Sequence, residues 1–126
     1  MSAEHLLETA RQDRLSLEID SPRPHIDVRA IAAAGELDAI NGAKVHQVVC
    51  EVLLQQRPRR IEIDLREVRF LDSAGIRTLL RCHADARRVN CELTLTDAHP
   101  TAYRALQITG LLAHFGLTGT RDQQDR

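Results

Sequence analysis

The chain has 126 residues, of which 43% are hydrophobic, and its 17 basic and 18 acidic side chains give a formal net charge of −1. A globular chain of this length forms one domain and buries roughly two thirds of its unfolded surface. The hydrophobic fraction is ordinary for a soluble globular protein, which argues against global disorder. The near-neutral charge argues against direct nucleic-acid binding, because phosphates require a basic face. Few aromatic side chains are available to stack on bases, namely Phe70, Tyr103 and Phe115.

Signals for export or membrane insertion are not evident in the sequence. The longest uncharged apolar stretch covers residues 30–35, far short of the ~20 residues that a membrane helix needs. The N-terminus also lacks the basic-then-apolar order of a signal peptide. We therefore expect a cytoplasmic protein without membrane contact.

The cysteines predict reduced thiols. Cys50, Cys82 and Cys91 are odd in number and lack a C-x-x-C spacing, so neither a disulfide framework nor a zinc site is expected. No site role is assigned to five further positions without an evident ligand spacing: His5, His25, His46, His114 and Cys50.

Four segments alternate apolar and polar residues with period two, which is typical of strands with one buried and one wet face. Their apolar members are Leu15, Leu17 and Ile19; Ile26, Val28 and Ala30; Ile61, Ile63 and Leu65; and Cys91, Leu93 and Leu95. Pro22 and Pro24 between the first two segments predict a turn and an antiparallel pair. In the second segment, Asp27 and Arg29 are predicted to face water.

Three later segments have helical periodicity. The first places five apolar residues on one face and is expected to stop near Arg57, because Pro58 disfavours a helical residue before it. The second is predicted over residues 73–88, and the third is predicted to open near Pro100 and end at Gly110. Residues 111–117 form a final short apolar element. The predicted buried positions are Val45, Val48, Val49, Val52 and Leu53; Ile76, Leu79, Leu80 and His83; and Tyr103, Leu106 and Ile108.

The predicted order β-β-α-β-α-β-α indicates an α/β domain. Strands of a doubly wound sheet are covered on both faces and form continuous apolar runs, whereas these strands alternate. We therefore predict that the helices pack mainly on one face of the sheet. Residues 1–11 are expected to be a loosely held N-terminal extension, and residues 118–126 a polar C-terminal tail.

Two loop regions carry the candidate chemistry. In Phe70-Leu71-Asp72-Ser73-Ala74-Gly75-Ile76, a strand and a short loop lead into the second helix. Asp72 and Ser73 suit a helix N-cap. Alternatively, the hydroxyl is exposed at the start of the helix, where the dipole and the free N–H groups tolerate the negative charge of a phosphate. The earlier loop, Gly35-Glu36-Leu37-Asp38 with Asn41, offers Asp38 or Asn41 as a cap, while Gly35 can take a positive φ or end the strand.

These two regions, together with Ile108-Thr109-Gly110-Leu111, resemble the three signature segments of the STAS domain, specifically of bacterial anti-sigma factor antagonists. The resemblance covers residues 12–117. It implies a single STAS-like α/β domain with a four-stranded mixed β-sheet and helices mainly on one face.

The resemblance also implies a partner switch that regulates transcription. Ser73 occupies the position of the serine that an anti-sigma factor with serine kinase activity phosphorylates. The unphosphorylated protein binds that anti-sigma factor and frees a sigma factor, and the phosphorylated protein dissociates. Many relatives carry a second serine where this chain has Ala74. The partner-binding residues implied are Asp38, Asn41, Asp72, Ser73, Ala74, Gly75 and Arg77.

We expect this chain to be a substrate of the kinase and not an enzyme. It has no G-x-x-x-x-G-K-[ST] motif, and its only lysine, Lys44, lies in the first predicted helix. No cofactor is therefore expected, because ATP would be held by the partner. The oligomeric state stays open between monomer and homodimer.

Three alternatives compete with this prediction. A serine hydrolase would use Ser73, but Leu71 replaces the first glycine of the nucleophile elbow, and neither His83 nor His99 has an evident acid partner. A phosphoaspartate receiver would use Asp64 but needs a lysine after a late strand. A non-switching STAS protein, acting as a scaffold of a stress-signalling assembly or a subunit of a lipid-transport complex, is the third alternative.

Overall fold

The computed structural model describes residues 14–21 and 27–117. These residues form β1 (Leu15–Ile19), β2 (Val28–Leu37), α1 (Gly42–Gln56), β3 (Arg60–Leu71), α2 (Ser73–Arg88), β4 (Glu92–Ala98) and α3 (Pro100–Ile108). The predicted N-terminal extension, the polar tail and the turn at Pro22 and Pro24 lie outside the described residues.

The strands form one mixed sheet in the order β1-β2-β3-β4. β1 is antiparallel to β2, whereas the β2–β3 and β3–β4 pairs are parallel. The predicted antiparallel pair is thus confirmed. Parallel neighbours need a crossover connection, which α1 supplies between β2 and β3 and α2 between β3 and β4. This topology differs from the all-parallel sheet of a receiver domain.

The helices pack on one face of the sheet and enclose a single core, as predicted. Side chains from the strands and the helices meet there, and those less than 2% exposed include Ile31, Ile61, Ile63, Leu93, Leu95, Val49, Leu79 and Leu106. The opposite face is wetter, with Ser16, Glu18 and Ala32 exposed. Among the described residues, no helix is both long and apolar enough to cross a membrane.

The predicted phase of β2 is wrong. Arg29 is 5% exposed and Ile31 is 1% exposed, so the inward positions are the odd-numbered ones, and Val28 and Ala30 lie on the other face. Because the strand is rich in alanine, its two faces differ little in hydrophobicity. Ile31 is the large apolar side chain that marks the buried face. The charge of Arg29 is offset by Asp20, whose Oδ1 accepts a hydrogen bond from Arg29 Nε at 3.0 Å and whose carbonyl contacts the guanidinium.

The helix bounds agree closely with the prediction. α1 ends at Gln56 and is followed by Arg57 in a left-handed conformation with φ of 48°, and α2 spans the predicted residues. In α3, Tyr103 and Leu106 are buried but Ile108 is 74% exposed, so that part of the prediction is wrong. Ile108 follows Leu106 by two residues, about 200° around the helix, which turns its side chain outward.

The C-terminal apolar segment closes the edge of the sheet beyond β4. The carbonyl of Phe115 accepts a hydrogen bond from the backbone N–H of Leu95 at 2.9 Å. The side chains of Phe115 and Leu117 are 0% and 5% exposed. This pairing completes the core beside α2.

Candidate functional site

The strand before the serine motif is longer than the sequence predicted. β3 continues to Leu71, so Asp72 alone separates the strand from α2 and the expected short loop is absent. Val68 and Leu71 are 0% and 7% exposed, and this burial keeps the strand paired with β2 to its end. Ser73 is thereby held at the end of the sheet on two regular elements.

Asp72, not Ser73, caps α2. Asp72 has an extended backbone, and its Oδ1 accepts a hydrogen bond from the backbone N–H of Gly75 at 2.9 Å. Ser73 is the first helical residue and its side chain is exposed. Its hydroxyl makes no hydrogen bond to any residue that the structure describes, so it is not engaged in stabilising the helix start.

The earlier loop is held by its own polar side chains. Asp38 Oδ1 accepts hydrogen bonds from the backbone N–H groups of Ile40 at 2.9 Å and Asn41 at 3.3 Å. In turn, Asn41 Oδ1 accepts a hydrogen bond from the backbone N–H of Asp38 at 3.0 Å. Asn41 Nδ2 donates a hydrogen bond to the carbonyl of Glu36 at 2.6 Å. Neither side chain caps α1 in the predicted manner. Asp38 and Asn41 are 7% and 5% exposed, and they fix the loop's shape.

An arginine neutralises the acidic side of this loop. Arg14 Nη2 lies 2.5 Å from Glu36 Oε1 and 3.6 Å from Asp38 Oδ2. The hydrogen bond that Arg14 donates to Glu36, followed by the negative charge of Glu36, raises the pKa of Arg14. The outer carboxylate oxygen of Asp38 therefore faces a cation of this chain.

A glycine with a positive φ shapes β2 just before the loop. Gly35 has φ of +118°, and a Cβ at this position would lie 2.0 Å from the carbonyl oxygen of Arg14. The strand continues to Leu37 with a register shift after Gly35, which is typical of a bulge. The predicted positive φ is confirmed, and Gly35 does not end the strand.

Two other glycines bring the loop and both helix starts together. A Cβ on Gly75 would lie 2.5 Å from the carbonyl oxygen of Leu37, and a Cβ on Gly42 would lie 2.4 Å from Thr78 Oγ1. Gly75, predicted as a partner contact, is buried and contributes by allowing this close approach. The role of Gly42 was missed, although a glycine in the first turn of a helix is a signal of such an approach.

The surface beside Ser73 combines a groove with exposed apolar side chains. The groove has a volume of about 590 Å³ between α1 and α2, and Ala74 and Arg77 contribute to its lining. Phe70 is 44% exposed and Ile40 is 65% exposed. Ile40 was not singled out from the sequence, although an apolar residue in a polar loop is a signal of a contact surface.

Comparison with known proteins assigns the chain to a family. The sequence profile of the STAS domain matches residues 22–124. The chain belongs to the STAS domain family. This STAS domain is 34% identical over 98 residues to the anti-sigma-B factor antagonist of Listeria monocytogenes, which covers 77% of this chain and 82% of the relative.

Solved structures share the fold of this STAS domain. An anti-sigma factor antagonist from Mycobacterium paratuberculosis superposes with a TM-score of 0.72 at 24% identity, covering 88% of this chain and 91% of that one. The Bacillus cell fate determinant SpoIIAA, in its phosphorylated form, superposes with a TM-score of 0.61 at 18% identity, covering 87% and 96%. The family and the four-stranded mixed sheet predicted from the sequence are thus confirmed.

His83 and His99, the two histidines named as candidate bases for Ser73, make other contacts. His83 lies ten residues further along α2, about 15 Å along the helix axis, with its ring centroid 4.3 Å from that of His114. His99 Nδ1 accepts a hydrogen bond from the backbone N–H of Thr101 at 3.2 Å at the start of α3. Neither of the two bases that the hydrolase alternative named is therefore paired with Ser73.

Proposed function

We propose that this STAS domain is an anti-sigma factor antagonist switched by phosphorylation of Ser73. It binds an anti-sigma factor that is also a serine kinase while Ser73 is unmodified, and a sigma factor is released to activate transcription. Phosphorylation of Ser73 by that kinase ends the contact. The observation that carries the proposal is the exposed hydroxyl of Ser73, which the capping of α2 leaves unused.

A phosphate on Ser73 is compatible with the fold. It adds about −1.5 to −2 charges and three acceptor oxygens, and the start of a helix favours negative charge through its dipole and its free N–H groups. Asp72 remains available as the cap for Gly75. The expected effect of the phosphate is therefore on the surface and not on the folded state.

The same phosphate opposes a desolvated contact. The surrounding surface offers the exposed apolar side chains of Ile40 and Phe70 and the exposed cation of Arg77. Arg77 lies four residues after Ser73, the spacing of neighbouring side chains on a helix, so a phosphate would compete with the partner for its guanidinium. Together with repulsion from Asp72 and added bulk, a discrimination of about 3 kcal/mol would lower affinity more than a hundredfold.

The partner supplies the chemistry in this proposal. ATP is held by the kinase, and this chain provides only the acceptor hydroxyl and the docking surface. We place the exchange in the cytoplasm, without direct contact between this chain and nucleic acid. Asp38, Asn41 and Gly75 act by holding the surface in shape, because they are buried.

The test is phosphorylation of the full chain by candidate anti-sigma factors of the source genome that carry a kinase domain. Each is incubated with ATP and the protein, and the product is examined by intact mass and fragment mapping. We expect one added phosphate on Ser73, which the Ser73→Ala variant should not acquire. The control variant Ser16→Ala removes another exposed serine, in β1, and should still be phosphorylated.

Phosphate on another residue would overturn the assignment of the switch to Ser73. Binding of an anti-sigma factor with no phosphate transfer would instead favour a non-switching STAS scaffold or subunit. Pull-down of each candidate kinase by the unmodified chain distinguishes that outcome from a kinase that does not recognise the protein.

A further inference from the structure

Three side chains with different donor atoms converge where α1 packs against α2. His46 and Cys50 lie one turn apart on α1, and Asp85 lies on α2. His46 Nε2 is 2.6 Å from Asp85 Oδ2, and Cys50 Sγ is 3.5 Å from His46 Nε2. The donor atoms of the three residues all lie within 4.8 Å of one another. None of these residues is among the partner-binding residues of the proposed switch, although His46 also lines the groove between α1 and α2.

A nitrogen, a sulfur and a carboxylate oxygen form a donor set that suits zinc. Zn²⁺ takes Cys, His and Asp ligands in tetrahedral geometry, with bonds of about 2.0 to 2.3 Å, which places ligand atoms roughly 3.3 to 3.6 Å apart. The distance from Cys50 Sγ to His46 Nε2 already has this value. The shorter distance from His46 Nε2 to Asp85 Oδ2 is that of a hydrogen bond. A metal ion would replace this hydrogen bond if the two atoms moved apart by less than about 1 Å.

The cluster is reachable from solvent but partly desolvated. The side chains of His46 and Asp85 are 23% and 26% exposed. The second carboxylate oxygen of Asp85 lies 3.6 Å from Arg88 Nη1, so this arginine helps to orient Oδ2 toward His46. A metal binds the thiolate form of cysteine, so coordination by Cys50 would release the thiol proton to solvent.

We propose that His46, Cys50 and Asp85 form a zinc site that joins α1 to α2 through three protein ligands, with water as the fourth. No zinc site was predicted from the sequence, because its cysteines lack a C-x-x-C spacing. The four-residue spacing of His46 and Cys50 on a helix is a ligand signal that this criterion does not include. Asp85 is 39 residues from His46 and joins them only through the packing of the helices.

The test uses the full chain, reduced and without an affinity tag, titrated with Co²⁺ alone and then with Zn²⁺ alone. We expect one equivalent of Co²⁺ to give a thiolate-to-cobalt charge-transfer band that Zn²⁺ abolishes. We also expect Zn²⁺ to raise the melting temperature, because an ion that binds only the folded state stabilises it.

Variants assign the ligands. Cys50→Ser should remove the charge-transfer band, and His46→Gln and Asp85→Asn should each weaken binding at least about tenfold, since even the hydrogen-bond partners of ligands cost that much. Cys91→Ala and His83→Gln remove a thiol and an imidazole outside the cluster and should bind Co²⁺ like the parent. Circular dichroism of each variant verifies that it is folded.

Two results would overturn the proposal. One is a folded parent protein that shows neither a cobalt band nor a shift in melting temperature with Zn²⁺. The other is a band that survives in Cys50→Ser, or equal affinities in the parent, His46→Gln and Asp85→Asn proteins, because the metal would then be held elsewhere.

Discussion

At the scale of single residues, Asp72 and Ser73 have separate tasks at the start of α2. The first N–H groups of a helix need an acceptor, and Asp72 supplies one for Gly75. Ser73 can therefore change its chemical state without removing that hydrogen bond. A switch placed on the capping residue itself would alter the stability of the helix each time it is modified.

Removal of the cap should destabilise the protein without involving Ser73. We expect Asp72→Ala to lower the free energy of unfolding by about 1 kcal/mol, measured by urea denaturation. Asp72→Asn retains an oxygen that accepts from Gly75 and should lose much less. An equal loss in the two variants would contradict a capping role for the Asp72 oxygen.

The sequence was sufficient to identify Asp72 and Ser73 as candidates, but it did not show which of them caps α2. Asp and Ser are both favoured N-caps, and the choice depends on which residue first adopts a helical backbone. That is set by β3, which remains paired as far as Leu71. The pairing is a long-range interaction between strands, and local spacing does not report it.

At the scale of elements, the β1–β2 hairpin contains a buried cation in a strand of small residues. Asp20 Oδ1 accepts from Arg29 Nε and from the backbone N–H of Ala30, both at 3.0 Å. The alternation of the sequence placed Arg29 on the wet face, since a charged residue is seldom buried. Asp20, which makes the burial possible, follows the last residue of β1 and gives no periodic signal.

Removal of Asp20, the partner of Arg29, should lower the free energy of unfolding, and replacement of Arg29 should restore part of it. We expect Asp20→Ala to lower the free energy of unfolding by about 2 kcal/mol, because it leaves the Arg29 charge buried and unpaired. Addition of Arg29→Met should recover more than half of that loss. Urea denaturation of the single and double variants measures both, and additive losses would contradict the coupling of the two residues.

The contact between α2 and the C-terminal segment should depend on pH. Burial, then His114 and then Arg87 lower the pKa of His83. A histidine with a folded pKa below its unfolded value of about 6.5 leaves stability unchanged above that pH, and stability falls as the pH drops toward the folded value. The urea midpoint should fall between pH 7.5 and pH 5.5, and His83→Gln should reduce that fall. An identical fall in the variant would contradict this prediction.

At the scale of the whole molecule, the topology places the early loop and the serine motif at one end of the sheet. β2 and β3 are parallel neighbours, so their carboxyl ends lie at the same edge, and α1 and α2 begin there. The alternating strands predicted that the helices pack on one face of the sheet, and the resemblance to the STAS domain implied the four mixed strands. They could not predict the juxtaposition of His46, Cys50 and Asp85, which depends on how the two helices pack.

The central claim is that one phosphate on Ser73 changes affinity and leaves the fold intact. The most direct measurement is the Kd of the cognate anti-sigma factor for the unmodified and the phosphorylated full chain, with circular dichroism of both forms. We predict at least a hundredfold weaker binding after phosphorylation, a similar loss in Ser73→Asp, tight binding by Ser73→Ala, and unchanged spectra. Equal dissociation constants for the two forms would contradict the account.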